Sequence, residues 1–131
     1  MSDLATVRQY MTTKLVTFLP EMDLHTAIRL LLRHQISGAP VVNAQGDLVG
    51  ILSKRDCLKV AFSASYHQDR AGPVSDYMSH DVVTVEADAR LVEVAERFVS
   101  GTFRRFPVLD GGRLVGVISR HDVLRALEEL W

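Results

Sequence analysis

Two short stretches place the same reactive groups at the same kind of junction. Near the C-terminal end, Gly116-Val117-Ile118-Ser119-Arg120-His121-Asp122-Val123-Leu124 runs an apolar strand straight into a helix start. Earlier, Gly50-Ile51-Leu52-Ser53-Lys54-Arg55-Asp56-Cys57-Leu58 repeats its Gly, Ser, Asp and Leu at an offset of 66 residues. In Ser119/Asp122 and in Ser53/Asp56 a hydroxyl and a carboxylate stand at the spacing of a capping box, worth about 0.5–2 kcal/mol to a helix. The same geometry can also bind. A helix N-terminus offers free N–H groups and a positive dipole end to an anion, and an ionised carboxylate, having only acceptor sites, suits a pair of neighbouring hydroxyls. Arg104-Arg105 precedes Phe106-Pro107 where the earlier stretch has Ser37-Gly38 before Ala39-Pro40. Adjacent arginines are often merely solvated, yet a forked guanidinium is the natural partner of a phosphate. Lys54, Arg55, Arg120 and His121 add charge at the helix starts.

The elements that must position these groups come in duplicate. An offset of 67 residues matches Val7 with Val74, Tyr10 with Tyr77, Met11 with Met78, Val16 with Val83, Thr17 with Thr84, Leu24 with Leu91, Pro40 with Pro107 and Val41 with Val108. After one deletion, an offset of 66 matches Gly46 with Gly112, Leu48 with Leu114, Val49 with Val115, Gly50 with Gly116, Ser53 with Ser119, Asp56 with Asp122 and Leu58 with Leu124. Average residue usage would give about three or four identities over such a length, so this ordered set marks an internal repeat. The deletion falls between Asn43-Ala44-Gln45-Gly46 and Asp110-Gly111-Gly112, both good hairpin connections.

Each half therefore reads strand, helix, strand, strand, helix. In the first, Leu15 to Phe18 is a short strand stopped by Pro20, and Leu24, Ala27, Ile28, Leu31 and Leu32 recur at helical spacing. Ala39 to Asn43 and Leu48 to Ser53 are Val- and Ile-rich strands, followed by a helix from about Lys54 to Phe62. The second half repeats this with strand Val82 to Val85, a helix from about Ala89 to Ser100, strands Phe106 to Leu109 and Arg113 to Ser119, and helix Arg120 to Leu130. The aperiodic segment 63–73 ends in a Gly-Pro breaker and connects the halves. This divides the chain into a first repeat at 1–63, a linker at 64–73 and a second repeat at 74–131. Small halves bury little surface alone, so the two are expected to form one pseudo-symmetric unit. The apolar helices ending each half, with Leu130-Trp131, suggest a homodimer.

Composition narrows the function. Fifteen basic against sixteen acidic side chains leave a net charge of -1, so bulk electrostatics favour neither nucleic acid nor an anionic membrane. No apolar run approaches a membrane span and the N-terminus lacks a signal-peptide pattern, which makes a cytoplasmic protein the expectation. Starting at Met1 without leftover linker, the chain reads as a whole protein. Cys57 is alone, on an apolar helix position, and reads as a buried, inert thiol. The five histidines form no pair at metal spacing beside a Cys or carboxylate cluster, so no metal is expected. Ser119 and His121 are two apart on a helix and point in different directions, which argues against a catalytic dyad. Gly111-Gly112 is a hairpin turn rather than a phosphate loop. No catalytic residue is assigned, and an enzyme is not the expectation.

Tandem halves of the form Val-x-x-x-Met, Val-Thr, Leu-x-x-Ala, Ser-Gly-Ala-Pro-Val-Val and Gly-x-Leu-Val-Gly-Ile-Leu-Ser-x-x-Asp resemble a cystathionine β-synthase (CBS) domain pair, or Bateman module, over nearly the whole chain. The resemblance implies an α/β (α+β) fold of two β-α-β-β-α repeats, with two clefts between them. It further implies a regulatory module that binds an adenosine nucleotide such as AMP, ADP or ATP and signals to an effector protein in trans. NAD and S-adenosylmethionine belong to the same ligand class, and no cofactor is required. By resemblance Asp56 and Asp122 take the ribose, with Ser53 and Ser119 nearby. Arg104, Arg105, Arg120 and Lys54 serve the phosphates. Val16, Thr17, Ala39, Pro40, Val83, Thr84, Phe106 and Pro107 wall the adenine, since a flat base needs apolar faces and backbone edges. The site with Arg104, Arg105 and Asp122 is the one expected to favour a phosphorylated ligand. The rival reading is a ligand-free dimerisation or scaffold module in which Ser-x-x-Asp only caps helices.

Overall fold

The computed structural model of the chain describes residues 5–62 and 71–130. In chain order the elements are α1 (Val7–Tyr10), α2 (Leu24–His34), β1 (Gly38–Val42), β2 (Leu48–Ser53), α3 (Lys54–Cys57), β3 (Val85–Glu86), α4 (Leu91–Ser100), β4 (Arg105–Asp110), β5 (Arg113–Ser119) and α5 (Arg120–Leu130). Two 3-10 turns occupy Leu58–Phe62 and Val74–Asp76. The mixed α/β plan in two repeats is the expected one. Most of the connection between halves, 63–70, and Trp131 lie outside the described residues.

The chain forms two compact units. One runs from Val16 to Val82, and the other joins the chain up to Leu15 with the chain from Val83 onward. Sequence repeat and compact unit are thus different divisions. The segment that opens each repeat belongs to the unit whose hairpin comes from the other repeat: Val7 and Met11 pack with β4–β5, and Val74 and Met78 with β1–β2. Val7 and Val74 are both fully buried, and burying such a side chain contributes about 1.5–3 kcal/mol, enough to hold each segment in place.

In the unit from Val16 to Val82, β1 and β2 pair antiparallel, Gly38 opposite Ser53 and Val41 opposite Gly50, with a bulge at Val41/Val42. The turn is fixed by the Asn43 carboxamide, whose Oδ1 accepts from the N–H groups of Gln45 (3.0 Å) and Asp47 (2.9 Å), while Gly46 takes φ +86°. α2 starts at Asp23, whose side chain accepts from Thr26 N, and buries Leu24, Ala27 and Leu31 against the hairpin. Leu32, counted with that apolar face in the sequence, points outward instead. The expected strand Leu15 to Phe18 shrinks to one parallel bridge, Phe18 with Val41, because this stretch is where the chain passes from one unit to the other. The expected helix Lys54 to Phe62 keeps α geometry only to Cys57. Its later residues bury little, whereas the equivalent turn of α5 buries Ala126 completely. Val60, at that equivalent position, is also the poorer helix former.

The other unit has the same plan with a longer sheet, ordered β3-β4-β5. β3 pairs parallel to β4, Val85 opposite Val108, and β4 pairs antiparallel to β5, Arg105 opposite Ser119. Leu91, Val94 and Phe98 of α4 and Val123 and Ala126 of α5 cover Phe106, Val108 and Ile118. A further bridge in each unit ties the opening segment to the hairpin. Thr12 and Val117 exchange N–H···O bonds of 2.8 and 3.0 Å, as Ser79 and Ile51 do at 2.9 and 3.0 Å.

Candidate functional site

At both strand–helix junctions Ser-x-x-Asp closes a ring of hydrogen bonds. The Asp122 N–H donates to Ser119 Oγ (3.2 Å), while Ser119 N and Oγ donate to Asp122 Oδ2 (2.9 and 3.1 Å). Ser53 and Asp56 do the same at 3.1, 3.0 and 3.0 Å. The capping geometry is therefore real in both repeats. Its carboxylates are nonetheless unusual, since Asp56 is 7% and Asp122 5% exposed, and a buried carboxylate is costly unless donors surround it.

Those donors come from residues that the motif does not contain. Asp122 Oδ1 accepts from Thr12 Oγ1 (3.5 Å) and lies 3.7 Å from Arg125 Nη2. Arg125 Nη2 also donates to the Tyr10 carbonyl at 3.0 Å. In the other unit Asp56 Oδ1 accepts from Ser79 Oγ (3.5 Å) and forms an ion pair with the Lys59 ammonium (3.1 Å), which donates to the Tyr77 carbonyl at 3.5 Å. Sequence reading passed over Thr12, Ser79, Lys59 and Arg125. The signal was present: Thr12 and Ser79 share the 67-residue offset, and Lys59 and Arg125 the 66-residue offset, but as similar rather than identical residues.

The arginines reach the same junction through the backbone. Arg105 sits opposite Ser119 in the ladder, and Arg120 N donates to the Arg104 carbonyl at 3.3 Å. Gly38 opposite Ser53, with Lys54 N on the Ser37 carbonyl at 2.8 Å, is the uncharged counterpart. Arg105 is half-buried and Arg104 exposed. Burial first, and the neighbouring charge of Arg104 second, push the Arg105 guanidinium below its ordinary value. It remains a cation, and a second anion beside it would relieve the Arg104 repulsion. Lys54 and Arg120 are exposed at the first turns of α3 and α5.

The expected base walls divide into two kinds. Thr17 and Val83 are exposed, and Val16 and Thr84 half-buried, whereas Ala39, Pro40, Phe106 and Pro107 are buried. The Phe106 ring is committed to the core: it lies 4.8 Å from Phe98, 4.9 Å from Phe103 and 4.7 Å under the Arg97 guanidinium. Arg97 Nη1 also donates to the Thr84 carbonyl at 3.5 Å. By register, Thr84, Arg105, Phe106 and Ser119 share one end of the β3-β4-β5 sheet. Thr17, Ala39 and Ser53 share the corresponding end of β1-β2. Each set of candidates is thus assembled within its own unit. Among the described residues no three His, Cys, Asp or Glu side chains gather as a metal site, and no helix is long and apolar enough to cross a membrane.

Comparison with known proteins agrees with this architecture. The sequence profile of the CBS domain matches twice, over residues 7–63 and 74–129. CBSX2 of Arabidopsis thaliana, solved in complex with AMP, superposes with a TM-score of 0.85 at 29% identity over 95% of this chain and 97% of that one. AcuB of Vibrio cholerae superposes with a TM-score of 0.87 at 30% identity, over 97% and 93% of the two chains. An uncharacterized protein of Methanocaldococcus jannaschii is 32% identical over 95% of this chain, which spans only 44% of that protein. A 17.7 kDa protein of Acidianus ambivalens is 30% identical over 92% of this chain and 72% of its own length. With two profile matches end to end on a fold shared with solved CBS proteins, this chain belongs to the CBS-domain family and carries two CBS domains in tandem.

Proposed function

We propose that the chain is a regulatory module that binds an adenosine nucleotide, AMP, ADP or ATP, at the strand–helix junction and passes its occupancy to an effector protein in trans. The observation that carries this reading is the one-sided charge. Both junctions hold a buried carboxylate suited to a diol, but only one adds two arginines at the end of the sheet beside it. The solved AMP complex of CBSX2, at 29% identity, supports the ligand class. In this reading Asp122 takes the ribose hydroxyls and Arg104 and Arg105 the phosphate. The exposed apolar residues Leu58 and Phe62 of one unit and Leu124 and Val99 of the other support a homodimer as the signalling form.

One observation favours the ligand-free scaffold instead: each carboxylate already has three protein hydrogen-bond donors and a cation beside it. Thermal unfolding with AMP, ADP, ATP, NAD and S-adenosylmethionine separates the two. A ligand at about 100 times its dissociation constant stabilises by about 2.7 kcal/mol. No shift with any of the five, and no nucleotide carried through purification, would leave the scaffold.

A further inference from the structure

The carboxylate of Asp122 is engaged at both oxygens. Of its roughly four acceptor positions, three take hydrogen bonds, from Ser119 N, Ser119 Oγ and Thr12 Oγ1, and Arg125 Nη2 adds an ion pair at 3.7 Å. The two oxygens differ in what they hold. Oδ2 has the short contacts, 2.9 and 3.1 Å, and both stay within the start of α5. Oδ1 has the long ones, 3.5 and 3.7 Å, and faces the segment that opens the chain. Thr12 is held there directly, and Tyr10 through Arg125, which donates to its carbonyl and lies over its ring at 5.5 Å.

We propose that Asp122 is a latch: its Oδ1 fastens the segment around Tyr10–Thr12, and a ligand with two neighbouring hydroxyls engages the carboxylate at Oδ1, the oxygen not tied up in the helix cap, and so loosens that segment. The coupling rests on the nucleotide reading above. Oδ1 yields because its contacts are the longer ones and because Thr12 and Arg125, both exposed, can turn to water. Oδ2 stays, since its loss would uncap α5. Val7 and Arg8 also stay, bonded to the Ala89 and Ala87 carbonyls at 3.0 and 2.9 Å, and Met11 N stays on the Val7 carbonyl at 2.8 Å, so the loosening is confined to Thr12 and its partner Val117. Asp56 has the same arrangement with a tighter Oδ1, because Lys59 lies 3.1 Å away. The Asp122 latch therefore opens first, and occupancy is reported through the N-terminal segment.

Amide hydrogen exchange on the full chain tests both parts. Without nucleotide, Thr12→Val removes the latch donor but keeps the side-chain shape, and the Val117 amide, which donates to the residue-12 carbonyl, should exchange about two- to fivefold faster, the factor lost with a hydrogen bond at the weaker end of the ordinary range. Val7 and Arg8 should not change. With saturating AMP the wild type should show the same local acceleration, Thr12→Val should show no more, and the variant should bind AMP at least as tightly as wild type. Unchanged exchange in nucleotide-free Thr12→Val overturns the latch. AMP bound to wild type, as seen by thermal shift, without acceleration at Val117 overturns the coupling, as does weaker AMP binding by Thr12→Val. If AMP, ADP and ATP all fail to bind the wild type, the nucleotide reading falls and the coupling with it, and the nucleotide-free comparison still decides the latch; if only ADP or ATP binds, the exchange comparison is made with that nucleotide.

Discussion

Met11 lies on Gly116: a Cβ there would stand 2.7 Å from Met11 Sδ and 3.0 Å from the Thr12 carbonyl oxygen. Gly50 is covered in the same way, its Cβ position 2.6 Å from Met78 Sδ and 2.9 Å from the Ser79 carbonyl oxygen. A thioether can swing aside, but a bridged backbone carbonyl cannot move without breaking its ladder. Gly116→Ala and Gly50→Ala should each destabilise the fold by about 1–3 kcal/mol, the usual cost of overpacking. Urea denaturation checks this, and an unchanged midpoint in both variants would mean that the opening segments do not press on the hairpins as described.

The two carboxylates are not expected to be equal in binding. Arg105 lies opposite Ser119, the cap partner of Asp122, and Arg125 stands farther from Asp122 Oδ1 (3.7 Å) than Lys59 does from Asp56 Oδ1 (3.1 Å). Hydrogen bonds to a charged group contribute about 1.5–3 kcal/mol, so Asp122→Ala should weaken AMP binding about 10- to 100-fold. Asp56→Ala should cost less. Calorimetric titration measures both, at a temperature where each variant is folded, since each also loses its helix cap. Equal losses would remove the asymmetry.

On the nucleotide reading proposed above, Arg105 would separate phosphate recognition from base and ribose recognition. Replacing it by Ala removes a charge-assisted donor, so AMP and ATP should lose about tenfold or more in affinity while adenosine changes little. The comparison is internal to one variant, which protects it from any general loosening of β4. Adenosine and AMP weakened by the same factor would assign Arg105 to structure alone.

What could be read from the chain itself was what local spacing determines. The hairpins, the strand-to-helix junctions and the Ser-x-x-Asp pairs follow from periods and turn residues a few positions apart, and the structure has them where they were expected. The donors around the carboxylates follow from the fold. Thr12 meets Asp122 across 110 residues of sequence and Ser79 meets Asp56 across 23, contacts that exist only because each opening segment lies on the other repeat's hairpin. Duplication did carry the signal for Thr12/Ser79 and Lys59/Arg125, but a search for identities passes over a Thr matched with a Ser or a Lys with an Arg. Phe106 shows another limit. The family resemblance puts it at the base wall, and what no local spacing could give is that its ring also packs with Arg97, Phe98 and Phe103 in the core.

Cys57 gives the fold a dependence on alkaline pH. Burial foremost, and then the negative charge of Asp56, push its thiol up from 9.0 to about 11. The unfolded chain therefore loses this proton at lower pH than the folded one, and stability falls where the folded state binds more protons. The Cys57 contribution is intact below about pH 9 and is lost as the pH rises towards about 11. Urea midpoints taken between about pH 8 and about pH 10.5 should fall more steeply for wild type than for Cys57→Ala. Parallel slopes would show that the thiol does not titrate differently in the two states. At neutral pH the same shift leaves almost no thiolate, so alkylation should be slow until the protein unfolds.

Leu58 and Leu124 occupy equivalent positions in the two repeats, and both face outward, 68% and 64% exposed. Leu32 and Val99 are a second equivalent pair, also exposed, on α2, which packs beside α3, and on α4, which packs beside α5. A single outward leucine is ordinary, but a pair of outward apolar residues recurring in both repeats is what a self-complementary contact between two copies would use. If the chain is a homodimer through these faces, Leu58→Glu with Leu124→Glu should raise the dimer dissociation constant by about 100-fold or more, the range seen when central interface residues are lost. Sedimentation velocity across a concentration series reads this directly. The double variant should also retain its monomer fold by circular dichroism, because neither leucine contributes to the buried cores. A wild type that stays monomeric at every concentration, or a double variant that dimerises unchanged, would reject these faces as the contact.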